Sequence, residues 1–299
     1  MEWENTDRTG MHEKSALFLL IGLMAMGYMI GGFVAYFAWE AMTGTVFSPE
    51  SMLDPSRAME VRIAQTLLAL FIFFVPSWIA VRAVTKSPIN YFQLNRPFQW
   101  KAYGFSAVVM LLMVLVAGML AQFTEWIPLS SQMELYFKDM EASYMEQIEV
   151  MSQMKNWEDL VVVLITMALV PAIVEEFFFR GTFQNMMYRA TGQLWVSIIV
   201  TSLLFSAIHF SYYGFFARTA LGIVLGWLYG RSGNLWVPIV AHLINNAMAV
   251  GEVYYLRSAG RPIDDGLMEQ IPWWTGIIAT GLLIGFIRKF HQMVSDGTR

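Results

Sequence analysis

The chain contains no cysteine, and charged residues make up only 14% of its 299 residues. The absence of thiols excludes a disulfide scaffold, a Cys-ligated zinc or iron–sulfur site and a thiol protease. Hydrophobic residues reach 57%, which excludes intrinsic disorder, because disorder needs low hydrophobicity and high net charge. The net charge is −4 and there is no basic block, so nucleic acid is not expected as a partner.

Long uncharged stretches indicate a membrane protein. Three lie in the first half, at 16–39, 63–81 and 102–124, and crossing the hydrocarbon layer takes about 20 apolar residues in a helix. The second half carries five further apolar blocks, at 160–174, 190–217, 219–230, 232–251 and 271–287. The expected fold is therefore all-α, a polytopic membrane protein with about eight transmembrane helices in one bundle and the lipid bilayer as a partner.

The connecting segments suggest an orientation and a domain organisation. Lysine and arginine are in excess on the side of the two termini, which predicts a plasma-membrane protein with both termini cytoplasmic. No internal repeat or flexible linker is visible, so 1–299 is expected to be a single membrane domain. Within it we distinguish three helices at 16–127, an amphipathic segment at 128–158, a core at 159–251 and a C-terminal helix at 271–290.

The segment 128–158 differs from the rest because it is acidic. It holds six acidic residues and two lysines, a net charge of 2 − 6 = −4. Its apolar residues recur every three or four positions, which places them on one face of a helix: Met133, Phe137, Met140, Tyr144, Ile148 and Met151. Such a helix could lie on the protein or lipid surface, or it could act as a lid or substrate-docking element.

Polar residues inside the predicted helices are candidate functional groups, because ionisable side chains at membrane depth are costly. The fourth helix carries Glu175, Glu176 and Arg180. Glu176 and Arg180 are four residues apart and share a helix face, which predicts a structural ion pair. Glu175 lies about 100° round the helix from Glu176. It is therefore not part of the predicted ion pair and is a candidate for a functional role. Pro171, four residues earlier, is expected to kink the helix and open space beside it.

Two histidines complete the set. His209 is predicted on the fifth helix and His242 on the seventh, where Asn246 shares its face. Counting from the turns places Glu175 and His209 at nearly the same depth and leaves a mismatch of roughly 10 Å for His242. We expect this mismatch to close because residues 181–190, which include Gln184, Asn185 and Arg189, project beyond the membrane. A glutamate and a histidine can activate water, and a second histidine with an amide can stabilise an oxyanion. Two histidines and a glutamate are also a known set of ligands for catalytic zinc. The sequence alone therefore does not decide whether the site binds a metal ion.

The sixth predicted helix carries small residues at regular spacing, Gly222, Gly226 and Gly230. Glycines four residues apart let helices approach closely. We expect this stripe to bring the fifth and seventh helices together around the sixth.

Three motifs in this region resemble those of one family. Glu175-Glu176-Phe-Phe-Phe-Arg180, Phe205-Ser-Ala-Ile-His209 and His242-Leu-Ile-Asn-Asn246 are similar to the E-E-x-x-x-R, F-x-x-x-H and H-x-x-x-N motifs of the CAAX prenyl endopeptidase type II and bacteriocin-processing family of intramembrane proteases. The resemblance covers about Leu160 to Val250.

The resemblance implies a glutamate-dependent intramembrane endopeptidase that acts on a membrane-associated peptide or protein substrate. By the resemblance, Glu175 and His209 activate water, His242 and Asn246 form the oxyanion site, and Glu176, Arg180 and Phe205 give structural support. No cofactor is expected, with zinc as the competing possibility. A non-catalytic scaffold or immunity protein and a proton-coupled transporter are the alternative functions.

Overall fold

The computed structural model describes residues 9–97, 100–263 and 271–296, and these ranges are helical without a strand. The main helices are α1 (Glu13–Thr43), α2 (Pro55–Val84), α3 (Trp100–Glu125), α4 (Ser131–Met151), α5 (Trp157–Thr191), α6 (Leu194–Ala207), α7 (Phe215–Ser232), α8 (Trp236–Ser258) and α9 (Trp273–Asp296). Short helical turns lie at Glu50–Leu53 and Pro88–Tyr91. The predicted all-α fold is confirmed. The predicted domain limits at residues 1 and 299 lie outside the described residues.

Four helices in the described part of the chain, α1, α2, α3 and α5, are long and apolar enough to cross a membrane. Helix α6 and residues Trp273–Arg288 of α9 are apolar but shorter. On α1, Phe18 and Phe33 are 78% and 64% exposed, as side chains facing lipid would be. The chain is therefore an integral membrane protein. Helices α5 to α9 correspond to the predicted helices four to eight, and the count of eight membrane spans stays a prediction.

Wider π-helical turns precede the prolines of α2 and α5. Residues Leu70–Phe74 and Leu164–Leu169 are π-helical, and each segment ends two residues before a proline, Pro76 or Pro171. A proline ring clashes with the carbonyl group four residues earlier in a regular α-helix, and a widened turn relieves this clash. A further π-helical segment, Phe177–Gln184, begins directly after Glu176. Glu175 and Glu176 therefore lie between two widened turns, and Arg180 lies within the second; such turns are frequent at functional sites.

The glycine stripe of α7 packs differently from the prediction. A methyl group at Gly222 would lie 2.9 Å from the Cβ atom of Ser202 in α6. At Gly226 it would lie 2.6 Å from Oε1 of Gln184 in α5. The nearest neighbours of these glycines are therefore α6 and α5, and not α6 and α8. The physical reason lies at Gly226. Because it has no side chain, Gln184 of α5 can approach the backbone of α7 and donate a 3.0 Å hydrogen bond to the Gly226 carbonyl group.

Helix α4 is the predicted amphipathic helix, and its C-terminal end is fixed to the protein. Arg62 of α2 donates to the carbonyl group of Met151 at 2.7 Å. Arg257 of α8 donates to the carbonyl group and to Oε1 of Glu149, both at 2.9 Å. Cations at the carbonyl end of a helix interact favourably with its dipole. The two arginines thus tie α4 to α2 and α8.

Two clusters of buried apolar side chains flank the polar residues of α5 and α8. One cluster joins α3, α7, α8 and α9, and it includes Trp227 and Ala241. The other joins α1, α2, α5 and α6, and it includes Phe178 and Phe205. In lipid, such side chains stabilise the bundle through van der Waals packing and not through removal of apolar surface from water. Both clusters reach the candidate residues: Ala241, in the first, precedes His242, and Phe205, in the second, is itself a candidate.

Candidate active site

A buried ion pair connects α5 to α7. Arg180 donates from Nη1 to Oε1 of Glu176 at 2.5 Å, and both side chains are fully buried. The second guanidinium nitrogen, Nη2, donates to the carbonyl group of Gly222 at 3.1 Å. The guanidinium group also lies 4.9 Å from the centre of the Phe205 ring. The ion pair predicted from the i, i+4 spacing is confirmed, and it crosses to a neighbouring helix.

The same carboxylate holds His242 of α8. The imidazole Nδ1 atom lies 2.9 Å from Oε1 of Glu176, the oxygen that also accepts from Arg180. An ionised carboxylate only accepts hydrogen bonds, so Nδ1 carries the proton and donates it. This contact fixes the orientation of the imidazole ring and turns the other nitrogen, Nε2, away from Glu176.

Glu175 lies on the side to which Nε2 of His242 is directed. The distance between Oε2 of Glu175 and Nε2 of His242 is 3.9 Å. The side chain of Glu175 is 16% exposed, whereas that of Glu176 is fully buried. Neighbouring glutamates thus have different surroundings: Glu176 is engaged in the interior, and Glu175 is partly exposed. The displacement of roughly 10 Å left by naive helical counting is absent, since the two side chains approach to 3.9 Å.

Phe205 lies between the two histidines. Its ring centre is 5.1 Å from that of His209 and 5.8 Å from that of His242. The Nδ1 atom of His209 lies 2.8 Å from the carbonyl oxygen of Phe205, and a carbonyl group only accepts. The imidazole therefore donates from Nδ1, and Nε2 carries the lone pair in the neutral ring.

The sequence predicted His209 within the fifth helix, but in the structure it lies just beyond the end of α6. The helix ends at Ala207, and the backbone N–H of His209 donates to Ser206. The imidazole donates to the Phe205 carbonyl, the group that this backbone N–H would use in a regular helix. Local side-chain bonds of this kind compete with helical bonds. Phe210, three residues beyond the end of α6, then adopts a left-handed φ of 50°.

Asn246 lies one turn beyond His242 on α8. Its Oδ1 atom accepts a hydrogen bond from Nδ2 of Asn245 at 3.3 Å. The amide nitrogen of Asn246 is therefore the donor end of this side chain. Four residues separate Asn246 from His242, so both side chains project from the same helix face.

Sequence reasoning missed two parts of this region. The carbonyl group of Gly222 was not considered as the partner of Arg180, because spacing along one helix carries no information on a neighbouring helix. The turn after His209 contacts α4: Ser211 donates to Oε2 of Glu141 at 2.7 Å. Next to it, the rings of Phe137 and Tyr212 stack with centres 4.3 Å apart. The apolar period of α4 predicted a packed face but not its partner.

Zinc is the competing possibility that the sequence left open. In the described ranges, no group of three or more His, Cys, Asp or Glu side chains is placed to share a metal ion. His242 has Glu176 on its Nδ1 side at 2.9 Å and Glu175 on its Nε2 side at 3.9 Å.

Comparison with known families confirms the resemblance in part of the chain. Residues 157–248 match the model of a family described as "Type II CAAX prenyl endopeptidase Rce1-like". This stretch contains α5, α6, α7 and the first half of α8, and therefore all the candidate residues described above. No solved structure matches the chain.

Three bacterial proteins share a similar stretch. "Putative membrane peptidase YdiL" of Bacillus subtilis is 32% identical over 87 residues, 29% of this chain and 35% of that protein. "Uncharacterized protein YpbD" of the same organism is 34% identical over 96 residues, 31% of this chain and 46% of that protein. "Uncharacterized 24.3 kDa protein" of Escherichia coli is 30% identical over 93 residues, 30% and 43% of the two chains. The similar segment therefore spans less than half of each relative.

Proposed function

We propose that this chain is an intramembrane endopeptidase that hydrolyses a peptide bond near the membrane surface. The observation that carries the proposal is the approach of Glu175 and His242, with 3.9 Å between Oε2 and Nε2. Glu176 holds the far side of the same imidazole ring. The match of residues 157–248 to a membrane protease family supports the same reading. The proposed substrate is a membrane-associated peptide or protein.

In this proposal Glu175 is the general base. Its side chain is partly exposed, at 16%, whereas Oε1 of the fully buried Glu176 already accepts from Arg180 and His242. A water molecule beside Glu175 transfers a proton to the carboxylate as the water oxygen attacks the carbonyl carbon of the substrate. The Nε2 lone pair of His209 orients this water from the other side of Phe205. The proton then passes to the leaving amine as the carbon–nitrogen bond breaks.

His242 and Asn246 stabilise the oxyanion that forms during the attack. The Asn246 amide donates from Nδ2, the end not occupied by Asn245. His242 donates from Nε2 in the state in which both ring nitrogens carry a proton, with Nδ1 held by Glu176. Loss of one oxyanion donor typically lowers the rate by about 10²–10³-fold.

We propose that the reaction uses no cofactor. If the carboxylate activates water directly, cleavage persists in the presence of a strong chelator. Loss of cleavage on chelation, restored by added zinc, would instead assign Glu175 and the histidines as zinc ligands.

We also propose that the protein resides in the plasma membrane with both termini in the cytoplasm. Fluorescent-reporter fusions at each terminus test this proposal.

The proposed base is tested with Glu175→Gln, which preserves shape and removes the charge. We expect the variant to fold and to lose cleavage by about 10²–10⁴-fold. Because the substrate is unidentified, membranes from cells with the wild type and with the variant are compared by quantitative proteomics for uncut peptides. The matched control is Glu158→Gln, the same change at an exposed position of α5. Identical peptide patterns for Glu175→Gln and wild type would remove Glu175 as the base.

A further inference from the structure

A large cavity lies beneath α4, beside the candidate site. It has a volume of about 1160 Å³ and is bounded by the C-terminal half of α3, by α4, by the start of α7 and by α8 beyond Asn246. Its apolar wall includes small residues, Ala121, Ala217 and Ala249. Pockets of about 300–1,000 Å³ hold drug-sized ligands, so this cavity has room for a segment of several amino-acid residues.

The charges that line the cavity are mostly negative. Four glutamates contribute, Glu125, Glu134, Glu141 and Glu252, whereas Lys138 is the single cationic side chain of the lining. The net charge of the lining is therefore 1 − 4 = −3. Long cationic side chains fit such a surface, because lysine and arginine place apolar stems on an apolar wall and a charged end near carboxylates.

The cavity is adjacent to the two segments that carry His209 and Asn246. Ala249 lines the cavity and lies three residues, less than one turn, beyond Asn246 on α8. Gly214 lines it as well, and its backbone N–H donates to Ser211 in the turn that follows His209. The proposed catalytic side chains do not themselves line the cavity. It therefore lies next to the site and not over the reacting groups.

We propose that this cavity binds a peptide segment that carries lysine or arginine side chains and continues from the bond presented to Glu175. The inference rests on the proposed function, because it assigns the cavity to the substrate of that reaction. The negative lining selects against acidic segments and draws basic ones. The volume and the small apolar residues accommodate the peptide backbone and side-chain stems.

Binding can be measured apart from cleavage. The full chain with Glu175→Gln is placed in phosphatidylcholine nanodiscs and titrated into a fluorescein-labelled lysine–leucine peptide or its glutamate–leucine counterpart, with fluorescence anisotropy as the readout. Two double variants in this background differ only in position. Glu134→Gln with Glu141→Gln changes the cavity, and Asp139→Asn with Glu146→Gln changes exposed positions of α4 outside the lining.

We expect the lysine–leucine peptide to bind and the glutamate–leucine peptide not to bind. Two ion pairs of about 0.3–1 kcal/mol each correspond to about 3- to 30-fold weaker binding in the cavity variant. The exposed variant should change the affinity by less than about twofold. If the cavity variant is unstable, Glu125→Gln on α3 replaces it, since that residue is exposed and outside α4. Added salt should weaken binding of the basic peptide.

Two results would overturn the assignment: equal binding of both peptides, or equal weakening by the two double variants. Competition of phosphatidylethanolamine in the nanodisc with peptide binding, at equal affinity for both peptides, would assign the cavity to an amine lipid instead. Failure of the two proposals is distinguishable. Selective basic-peptide binding without cleavage by the wild type would remove the protease and leave the cavity. Uncut peptides in Glu175→Gln membranes without selective binding would remove only the cavity assignment.

Discussion

The buried pair of Glu176 and Arg180 gives a prediction in which stability and activity can be separated. Both side chains are fully buried and 2.5 Å apart. Glu176→Gln removes one charge and leaves the guanidinium group without its counter-charge in the interior. The Gln oxygen can still accept from His242, so the loss reports mainly on the ion pair. Breaking a buried pair in this way typically costs about 3–5 kcal/mol.

The expected change in melting temperature follows from the size of the chain. For a chain of this length, a loss of 1 kcal/mol in the free energy of unfolding lowers Tm by about 2 °C. Glu176→Gln should therefore lower Tm by on the order of 5–10 °C. The assay is intrinsic tryptophan fluorescence of the purified protein in nanodiscs during heating. The control is Glu134→Gln, which removes an exposed i, i+4 pair with Lys138 of nearly the same length, 2.7 Å, and should leave Tm unchanged.

A double variant then isolates the role of Glu176 at His242. Replacing a buried ion pair by apolar residues of similar volume is often neutral, so Glu176→Leu with Arg180→Met should recover most of the lost stability. Cleavage should still fall by about 10²–10⁴-fold, because Nδ1 of His242 loses the acceptor that orients the ring. Melting temperatures of all variants within 1–2 °C (about 0.5–1 kcal/mol) of the wild type would refute the argument on stability. A stable double variant with full cleavage would refute the orienting role.

Two further predictions concern packing. Gly222→Ala should lower the free energy of unfolding by about 1–3 kcal/mol, because its methyl group would meet Ser202 at 2.9 Å. Gly251→Ala, with open space around it, should be neutral or stabilise by up to about 1 kcal/mol, and equal melting temperatures for the two variants would contradict this packing. Arg257→Ala should speed hydrogen exchange at residues 149–151, because three donated bonds are lost. Unchanged exchange there would mean that Arg62 alone holds the end of α4.

Several features of this protein could be predicted from the sequence because they depend on neighbours along the chain. Uncharged blocks of about 20 residues predict membrane helices wherever they occur, and a spacing of four predicts that Glu176 and Arg180 meet on one face. The three-to-four period of 128–158 likewise predicts the amphipathic helix α4. Each of these follows from helix geometry alone, without knowledge of what the helix packs against.

Other features were decided only by the tertiary structure, because they join residues far apart in sequence. Glu176 receives a bond from His242, 66 residues later, and Arg180 reaches the Gly222 carbonyl, 42 residues later. Regular helical counting left His242 at a depth different from that of Glu175, since counting from turns assumes that all the turns lie at one level, and the structure brings the two side chains to 3.9 Å. The glycine stripe showed that close packing occurs on α7. The identity of the neighbouring helices depends on contacts with Ser202 of α6 and Gln184 of α5. Such contacts form only when the helices assemble.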